Sequence, residues 1–223
     1  MKPRAIILSG YGLNCEDETA FAFETAGAKA EIVHINDLKN LKKYQILAVP
    51  GGFSYGDDTG SGKAFAHKLK AKLGSDIDAF LARDTLAIGI CNGFQIMTQM
   101  GLLPGALAQN DSGRYQSEWI RIVATSSISP WLTPSPPYRK GGNEGEIELP
   151  IAHGEGKYIP DGTPSVAFRY VENPNGSTDD IAGILGYDGR VLGIMPHPER
   201  AQFSWQHGGH GLEIFKNAIR YFE

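Results

Sequence analysis

Short apolar segments alternate with amphipathic segments along the N-terminal half of this chain. The apolar segments predict buried strands at Ala5–Leu8, Ala30–Ile35, Ile46–Val49 and Leu86–Ile90. The amphipathic segments predict helices at Glu16–Ala26, Gly62–Leu73, Asp76–Ala82 and Asn92–Met100. Because parallel strands are joined by crossover helices, this alternation predicts an α/β fold with a mostly parallel open sheet and helices on both faces.

The C-terminal half has a different pattern. It predicts strands at Trp119–Val123, Ser165–Val171, Ile181–Tyr187 and Val191–Met195, a loop at Ser129–Gly145 and a final helix at Leu212–Phe222. Asp188-Gly189 lies between the last two strands and is a strong hairpin signal, so antiparallel strands are expected here. No repeat or linker interrupts the pattern. Residues 1–223 are therefore expected to form one domain.

The composition excludes several classes of function. The chain has 223 residues and a formal net charge of −4, which gives no general attraction to nucleic acid or anionic lipid. The apolar run Ala5–Leu8 is too short for a membrane span or a signal-peptide core, so a cytoplasmic protein is expected. The two cysteines, Cys15 and Cys91, make no disulfide framework.

Cys91 stands where an apolar strand passes directly into a helix. Gly89 and Gly93 flank it, which is the pattern of a nucleophile elbow with sulfur in place of a hydroxyl. Such a turn needs small neighbours, and the N-terminus of the following helix stabilises a thiolate. The alternative, a small buried cysteine without chemistry, fits Cys15 better because Cys15 has no such flanking residues. The backbone N–H of Asn92 is also placed to bind an oxyanion.

His197 is the best candidate for the base that this thiol needs. It lies just after the apolar strand Val191–Met195, between Pro196 and Pro198, which give a rigid non-helical turn. Glu199 is close enough along the chain to bind the imidazole nitrogen that faces away from the thiol. By itself this segment could equally be a surface loop with a solvated carboxylate. Combined with the elbow, it predicts a Cys-His-Glu triad.

A glycine-rich turn follows the strand Ile46–Val49. In an open α/β sheet the carboxyl ends of the strands form the binding crevice, so Gly52 is expected to offer a second N–H to the oxyanion. The stretch Gly60-Ser61-Gly62-Lys63 lacks the remaining residues of a phosphate-binding loop. No histidine cluster has convincing ligand spacing for a metal. The sequence therefore predicts no cofactor and no metal in this chain.

The segments around Cys91 and His197 resemble the triad (class I) glutamine amidotransferase family. Further segments extend the resemblance over nearly the whole chain, at Gly12–Cys15, Pro50–Asp57, Asn110–Tyr115 and Leu149–Gly156. The run Leu149–Gly156 is the most specific, because it resembles the small stand-alone glutaminase subunits that serve purine biosynthesis. The chain departs from their usual pattern at Asp58–Gly62 and in the Ser129–Gly145 loop.

The resemblance implies a substrate and the roles of the site residues. Cys91 would attack the side-chain amide of L-glutamine, and His197, oriented by Glu199, would protonate the departing ammonia and then activate water. The implied substrate contacts are less specific, since two of them could equally be loop hydrogen bonds or surface ion pairs. They are Gln95, Ser112 and Arg114.

The resemblance also implies partners. A chain of this size has no synthetase domain, so a separate ATP- and Mg-dependent synthetase subunit and a small bridging subunit are expected. Three alternatives remain at this point. They are a glutaminase subunit of another amidotransferase, a peptidase or DJ-1/PfpI-like cysteine hydrolase, and a silent binding subunit. The last two do not account for the His197–Glu199 arrangement.

Overall fold

The computed structural model of the chain describes residues 2–54, 62–125, 128–132 and 145–223. In the N-terminal half the elements are β1 (Arg4–Ser9), α1 (Glu16–Ala26), β2 (Lys29–His34), β3 (Ile46–Val49), α2 (Lys63–Leu81), β4 (Leu86–Ile90), α3 (Asn92–Met100) and β5 (Ala106–Ala108). In the C-terminal half they are β6 (Gln116–Ala124), β7 (Glu146–His153), β8 (Lys157–Ile159), β9 (Ser165–Tyr170), β10 (Ile181–Gly186), β11 (Val191–Ile194) and α4 (Gly211–Arg220). Short 3₁₀ helices lie at Thr178–Asp180 and Pro198–Arg200.

Strands from both halves of the chain form one nine-stranded sheet in the order β2-β1-β3-β4-β11-β10-β9-β6-β7. Pairing is parallel from β2 to β11 and antiparallel from β11 to β7. The predicted fold class is confirmed, as is the hairpin, in which β10 and β11 flank Asp188-Gly189. A separate antiparallel pair joins β5 to β8.

The centre of the sheet is apolar on both faces, as expected when helices cover it. Every residue of β3, β4 and β11 is buried. The helices pack in two pairs, α1 with α4 and α2 with α3, and the first pair meets through an edge-on contact of Phe23 and Phe215 at 4.9 Å between ring centroids. Because β4 and β11 are parallel neighbours, the residues that follow them, Cys91 and His197, come to the same edge of the sheet.

The predicted break between two helices is wrong. The sequence predicts two helices, Gly62–Leu73 and Asp76–Ala82, whereas α2 runs unbroken from Lys63 to Leu81. The buried side chains Leu69, Leu73, Ile77 and Phe80 continue one apolar stripe across Gly74, so packing overrides the local helix breaker. Within the described ranges, no helix is long and apolar enough to cross a bilayer.

Three strands were not predicted: β5, β7 and β8. The first and last have three residues each and offer little pattern to detect. β7 shows a regular alternation of buried and half-buried residues, with Ile147, Leu149, Ile151 and His153 facing inward. The alternation is present in the sequence, and the strand contains Pro150, a residue that is uncommon inside strands.

The predicted loop Ser129–Gly145 is described only at its ends, and residues 133–144 lie outside the described residues. Its start is anchored, because Trp131 is completely buried and its Nε1 donates to the carbonyl of Arg190 at 3.0 Å. The side chain of Asn217 donates to the carbonyl of Trp131 at 3.2 Å. Residues 55–61, which include most of the departure at Asp58–Gly62, also lie outside the described residues.

We expect Gly74→Ala to raise the free energy of unfolding by about 0.5–1 kcal/mol. Gly74 lies inside α2, and a Cβ there would meet only Cγ of Lys70, at 4.0 Å. Denaturant unfolding measures the change. A matched glycine, Gly93→Ala, should strongly destabilise the protein because its Cβ would lie 1.8 Å from the carbonyl oxygen of Val49. An unchanged or lower stability of Gly74→Ala would contradict a continuous helix.

Candidate active site

Cys91 occupies a strained turn between β4 and α3. Its φ of 50° and ψ of −107° are rarely adopted by a residue with a side chain. Its N–H donates to the carbonyl of Ile194 at 2.8 Å, which holds the turn to β11. The flanking segments touch, since a Cβ at Gly89 would lie 2.6 Å from the carbonyl oxygen of Gly93. The sharp turn that the sequence predicts is present, and both glycines are sterically required.

His197 and Glu199 form a buried pair beside this turn. Nδ1 of His197 lies 2.6 Å from Oε1 of Glu199, and both residues are 1% exposed. The backbone N–H of His197 donates to the carbonyl of Pro150 at 2.9 Å, which fixes the loop against β7. Nδ1 is thus engaged with the carboxylate, while Nε2 has no hydrogen-bond partner among the described residues. The structure brings the three predicted triad residues together.

The charges around His197 decide its protonation. Burial by itself would lower the pKa of His197, but the carboxylate of Glu199 and the neighbouring sulfurs of Cys91 and Cys15 together raise that pKa well above its ordinary value. Because folding raises this pKa, the group adds stability that is fully present below pH 6.5 and is lost as pH rises through the folded-state pKa. The site therefore favours an imidazolium beside the sulfur.

The two predicted oxyanion donors both lie at the cysteine. Asn92 begins α3, and Gly52 pairs with Leu13 in an isolated bridge and lines a cavity with Cys91. A Cβ at Gly52 would lie 2.4 Å from the carbonyl oxygen of Gly12, so this position needs glycine. Among the described residues, neither the N–H of Gly52 nor that of Asn92 has a hydrogen-bond acceptor. Their role as oxyanion donors remains a prediction.

The cavity at Cys91 is very small. Its volume is about 10 Å³, roughly the space of one water molecule. The lining residues are Gly52, Phe53, Cys91, Gln95, Ala152, His153, Gly154 and Glu155. The thiol of Cys91 lies 3.8 Å from the carbonyl oxygen of Ala152, to which it donates.

Gln95 lines this cavity, but its side-chain amide is already engaged. Nε2 donates to the carbonyl of Glu155 at 2.7 Å, and Oε1 accepts from Nδ2 of Asn92 at 2.7 Å. The first bond ties α3 to the segment that follows β7, and the second lies within α3. A contact between Gln95 and a substrate remains a prediction and would exchange one of these bonds.

Ser112 and Arg114 do not line the cavity. Both are exposed, and the hydroxyl of Ser112 accepts from the backbone N–H of Arg114 at 3.3 Å. Their loop nevertheless lies beside the cavity wall, because the N–H of Asn110 donates to the carbonyl of Gly154 at 2.9 Å. Their role as substrate contacts remains a prediction.

Asn110 and His153, to which sequence reasoning assigned no specific role, form a buried pair at the cavity wall. Nδ2 of Asn110 donates to the carbonyl of His153, and its Oδ1 accepts from the N–H of Gly156 at 3.0 Å. These backbone partners fix the amide orientation, so Nδ1–H of His153 must donate to Oδ1, at 3.1 Å. Burial, with the nearby charge of His197, lowers the pKa of His153 to about 4, so this ring stays neutral.

Cys15 lies directly behind the pair formed by His197 and Glu199, which the sequence did not reveal. Its sulfur, a ring nitrogen of His197 and a carboxylate oxygen of Glu199 lie within 4.8 Å of one another. Such a trio has the donor types of a zinc site. However, Nδ1 of His197 is engaged with Glu199, and the sulfur lies 2.8 Å from Nη2 of Arg200. This arrangement is a hydrogen-bonded cluster that contains its own cation.

A cysteine at a strained strand–helix turn, an imidazole held by a carboxylate and an open α/β sheet form the arrangement expected of an enzyme with a Cys-His-Glu triad. A family model described as a CobB/CobQ-like glutamine amidotransferase domain matches residues 2–164 and 158–222. At 38% identity, the chain is similar to the phosphoribosylformylglycinamidine synthase subunit PurQ of Thermotoga maritima, over 100% of both chains. The PurQ subunit of Pyrobaculum aerophilum is 42% identical, over 97% of both chains.

A solved structure leads to the same family. A chain in the structure of PurLQS from Thermotoga maritima superposes with a TM-score of 0.89 and 36% sequence identity, over 100% of both chains. A glutamine amidotransferase structure from the same organism has a TM-score of 0.59 at 14% identity, over 89% of this chain and 77% of that chain, and supports the fold alone. The chain therefore belongs to the CobB/CobQ-like glutamine amidotransferase family and, within it, to the PurQ subunits of phosphoribosylformylglycinamidine synthase.

We expect Glu199→Gln to lower the pKa of His197, because the amide keeps the shape but loses the charge that offsets burial. NMR titration of the imidazole measures this shift. Glu148→Gln is the matched control, since Glu148 pairs with the exposed His207 at 2.6 Å. That variant should leave the titration of His197 unchanged. Equal titration of His197 in wild type and Glu199→Gln would contradict the electrostatic role of Glu199.

Proposed function

We propose that Cys91, His197 and Glu199 hydrolyse L-glutamine to glutamate and ammonia, and that the ammonia passes to a separate synthetase subunit. The synthetase would use it to convert formylglycinamide ribonucleotide to formylglycinamidine ribonucleotide in purine biosynthesis. The observation that carries this proposal is the buried His197–Glu199 pair, 2.6 Å apart, beside a cysteine in an elbow turn. The similarity to PurQ subunits over the whole chain supports the substrate and the partner.

In the first half of the reaction the sulfur of Cys91 attacks the side-chain amide carbon of glutamine. A C–S bond forms and the carbonyl electrons move onto oxygen, where the N–H groups of Gly52 and Asn92 stabilise the charge. His197, held as an imidazolium by Glu199, protonates the amide nitrogen. The C–N bond then breaks, ammonia leaves and a γ-glutamyl thioester remains on Cys91.

In the second half a water molecule replaces ammonia. Neutral His197 accepts a proton from the water as its oxygen attacks the thioester carbon, and the same two N–H groups stabilise the second oxyanion. The C–S bond breaks, the sulfur regains its proton from His197, and glutamate leaves. Glu199 keeps one carboxylate oxygen on Nδ1 throughout, so Nε2 remains available for the proton transfers.

The remaining partners belong to the same proposal. ATP and Mg would be used by the synthetase rather than by this chain, because no phosphate-binding loop is present in the sequence. A small bridging subunit would join the two, and the assembly would work in the cytoplasm. The two enzymatic alternatives, another amidotransferase pathway and a DJ-1/PfpI-like hydrolase, are less well supported, since the whole-chain relatives described above are PurQ subunits.

We expect Cys91→Ala to reduce glutamine-dependent activity by about 10⁴-fold or more, because removal of a nucleophile leaves only binding and oxyanion stabilisation. The assay is ammonia release by the complex with the synthetase. Synthesis from added ammonium should persist, which is the internal control. A glutamine-mimicking electrophile should label Cys91 in peptide mapping. Label on Cys15, or undiminished glutamine use by Cys91→Ala, would overturn the mechanism.

We expect the free chain to have weak glutaminase activity that rises when the synthetase is added. The cavity at Cys91 is only about 10 Å³ in the free chain, and a partner that reshapes its walls would complete the site. Steady-state kinetics with and without the synthetase measure the effect. Full activity of the isolated chain, unchanged by the synthetase, would contradict this coupling.

A further inference from the structure

We propose that Cys15 and Arg200 are positioning residues of the triad, holding Glu199 and His197 from the side opposite the substrate. This inference rests on the proposed glutaminase function. Neither residue lines the cavity at Cys91, so neither is placed to touch the substrate. Both act through the carboxylate–imidazole pair.

Cys15 and Arg200 are in direct contact, and the sulfur of Cys15 has a hydrogen-bond partner on each side. Nη2 of Arg200 donates to the sulfur of Cys15 at 2.8 Å, and the thiol donates to Oδ1 of Asn14 at 3.3 Å. Burial raises the pKa of the Cys15 thiol, so the sulfur stays protonated and serves as a neutral acceptor for the guanidinium. Cys15 is also completely buried, whereas the side chain of Arg200 is 35% exposed.

The sulfur of Cys15 lies within 4.8 Å of a ring nitrogen of His197. Gly51 lies at this contact, and a Cβ there would meet Cε1 of His197 at 2.7 Å and the sulfur of Cys15 at 3.2 Å. The sulfur therefore limits the tilt of the imidazole on the side away from the cavity. A side chain at Gly51 would displace one of the two groups.

Arg200 supplies the second restraint, by charge. Its Nε lies 4.0 Å from Oε1 of Glu199, and Oε2 of that carboxylate is buried without a hydrogen-bond partner among the described residues. A buried carboxylate with one free oxygen is costly unless positive charge is nearby. The guanidinium provides that charge, and Cys15 keeps it in place where it would otherwise move into solvent.

Five groups from different elements face His197 and set its pH response. Glu199 and Arg200 come from its own turn, Cys91 from the elbow, Cys15 from the start of α1 and His153 from β7. Of these, Arg200 is the second cation beside Glu199, and its removal would leave the carboxylate compensated by the imidazolium alone. The imidazolium would then be held more tightly and would lose its proton at higher pH.

The test measures kcat and KM for glutamine in the complex with the synthetase. Cys15→Ala should lower kcat by about 10- to 100-fold, because a small misplacement of the base is enough to slow proton transfer. KM should stay unchanged, since the cavity wall is untouched. Cys15→Ser retains a hydroxyl that accepts from Arg200 and should restore most of kcat.

The second readout is the pH profile of kcat. One limb of this profile follows the protonation of His197. Arg200→Gln should move that limb to higher pH. Arg200→Lys keeps the charge and should leave the limb near its wild-type position. Ala22→Gly is the control for stability, because Ala22 is buried in α1 and the change should lower Tm without moving the limb. If Cys15→Ala does not fold, the pH profile of Arg200→Gln still tests the proposal, and Cys15→Ser still tests whether position 15 needs an acceptor for Arg200.

The outcomes separate the two proposals. Unchanged kcat in Cys15→Ala, or an unmoved limb in Arg200→Gln, would overturn the positioning role and leave the triad intact. Loss of kcat in Cys15→Ala that Cys15→Ser does not restore, with KM changing in parallel, would indicate general damage and also overturn it. If Cys91→Ala retains glutamine hydrolysis in the same assay, the proposed function itself fails.

Discussion

The close approach of two backbones at the elbow is the constraint on which the rest of the site depends. Gly93 lies so near the carbonyl of Val49 that a single added carbon would be 1.8 Å from its oxygen. This contact lets α3 start directly at the end of β4 and leaves Cys91 at a φ of 50°. Packing on both faces of the sheet supports the strained residue. The turn places the sulfur of Cys91 at the cavity between the ends of the strands.

The order of strands turns this local bend into a site. β11 lies beside β4 although about a hundred residues separate them in the chain, and it delivers His197 to the same edge of the sheet. β7, at the far end of the sheet order, still reaches this edge, since the carbonyl of Pro150 accepts from the N–H of His197. Charges buried in this way must be paired, and the ion pair His197–Glu199 with Arg200 behind it satisfies that requirement.

Sequence reasoning succeeded where the signal is local. Apolar runs located the central strands, and the local patterns around Cys91 and His197 selected residues that the structure brings together. It failed where distant residues decide the outcome. Gly74 looked like a helix break, yet the stripe through Leu73 and Ile77 keeps α2 whole. β7, which contains Pro150, was not predicted, and it is a strand because it pairs with β6 along its whole length.

The sequence by itself determined the fold class and the three residues of the proposed triad, because periodicity and small-residue spacing are encoded within short segments. Only the tertiary structure decided what surrounds them. Cys15 and Arg200 are far apart along the chain, and nothing near either one predicts that a thiol and a guanidinium meet behind Glu199. The tautomer of His153 likewise follows from an amide more than forty residues away. Such contacts are set by the packing of the sheet and its loops, which no local pattern records.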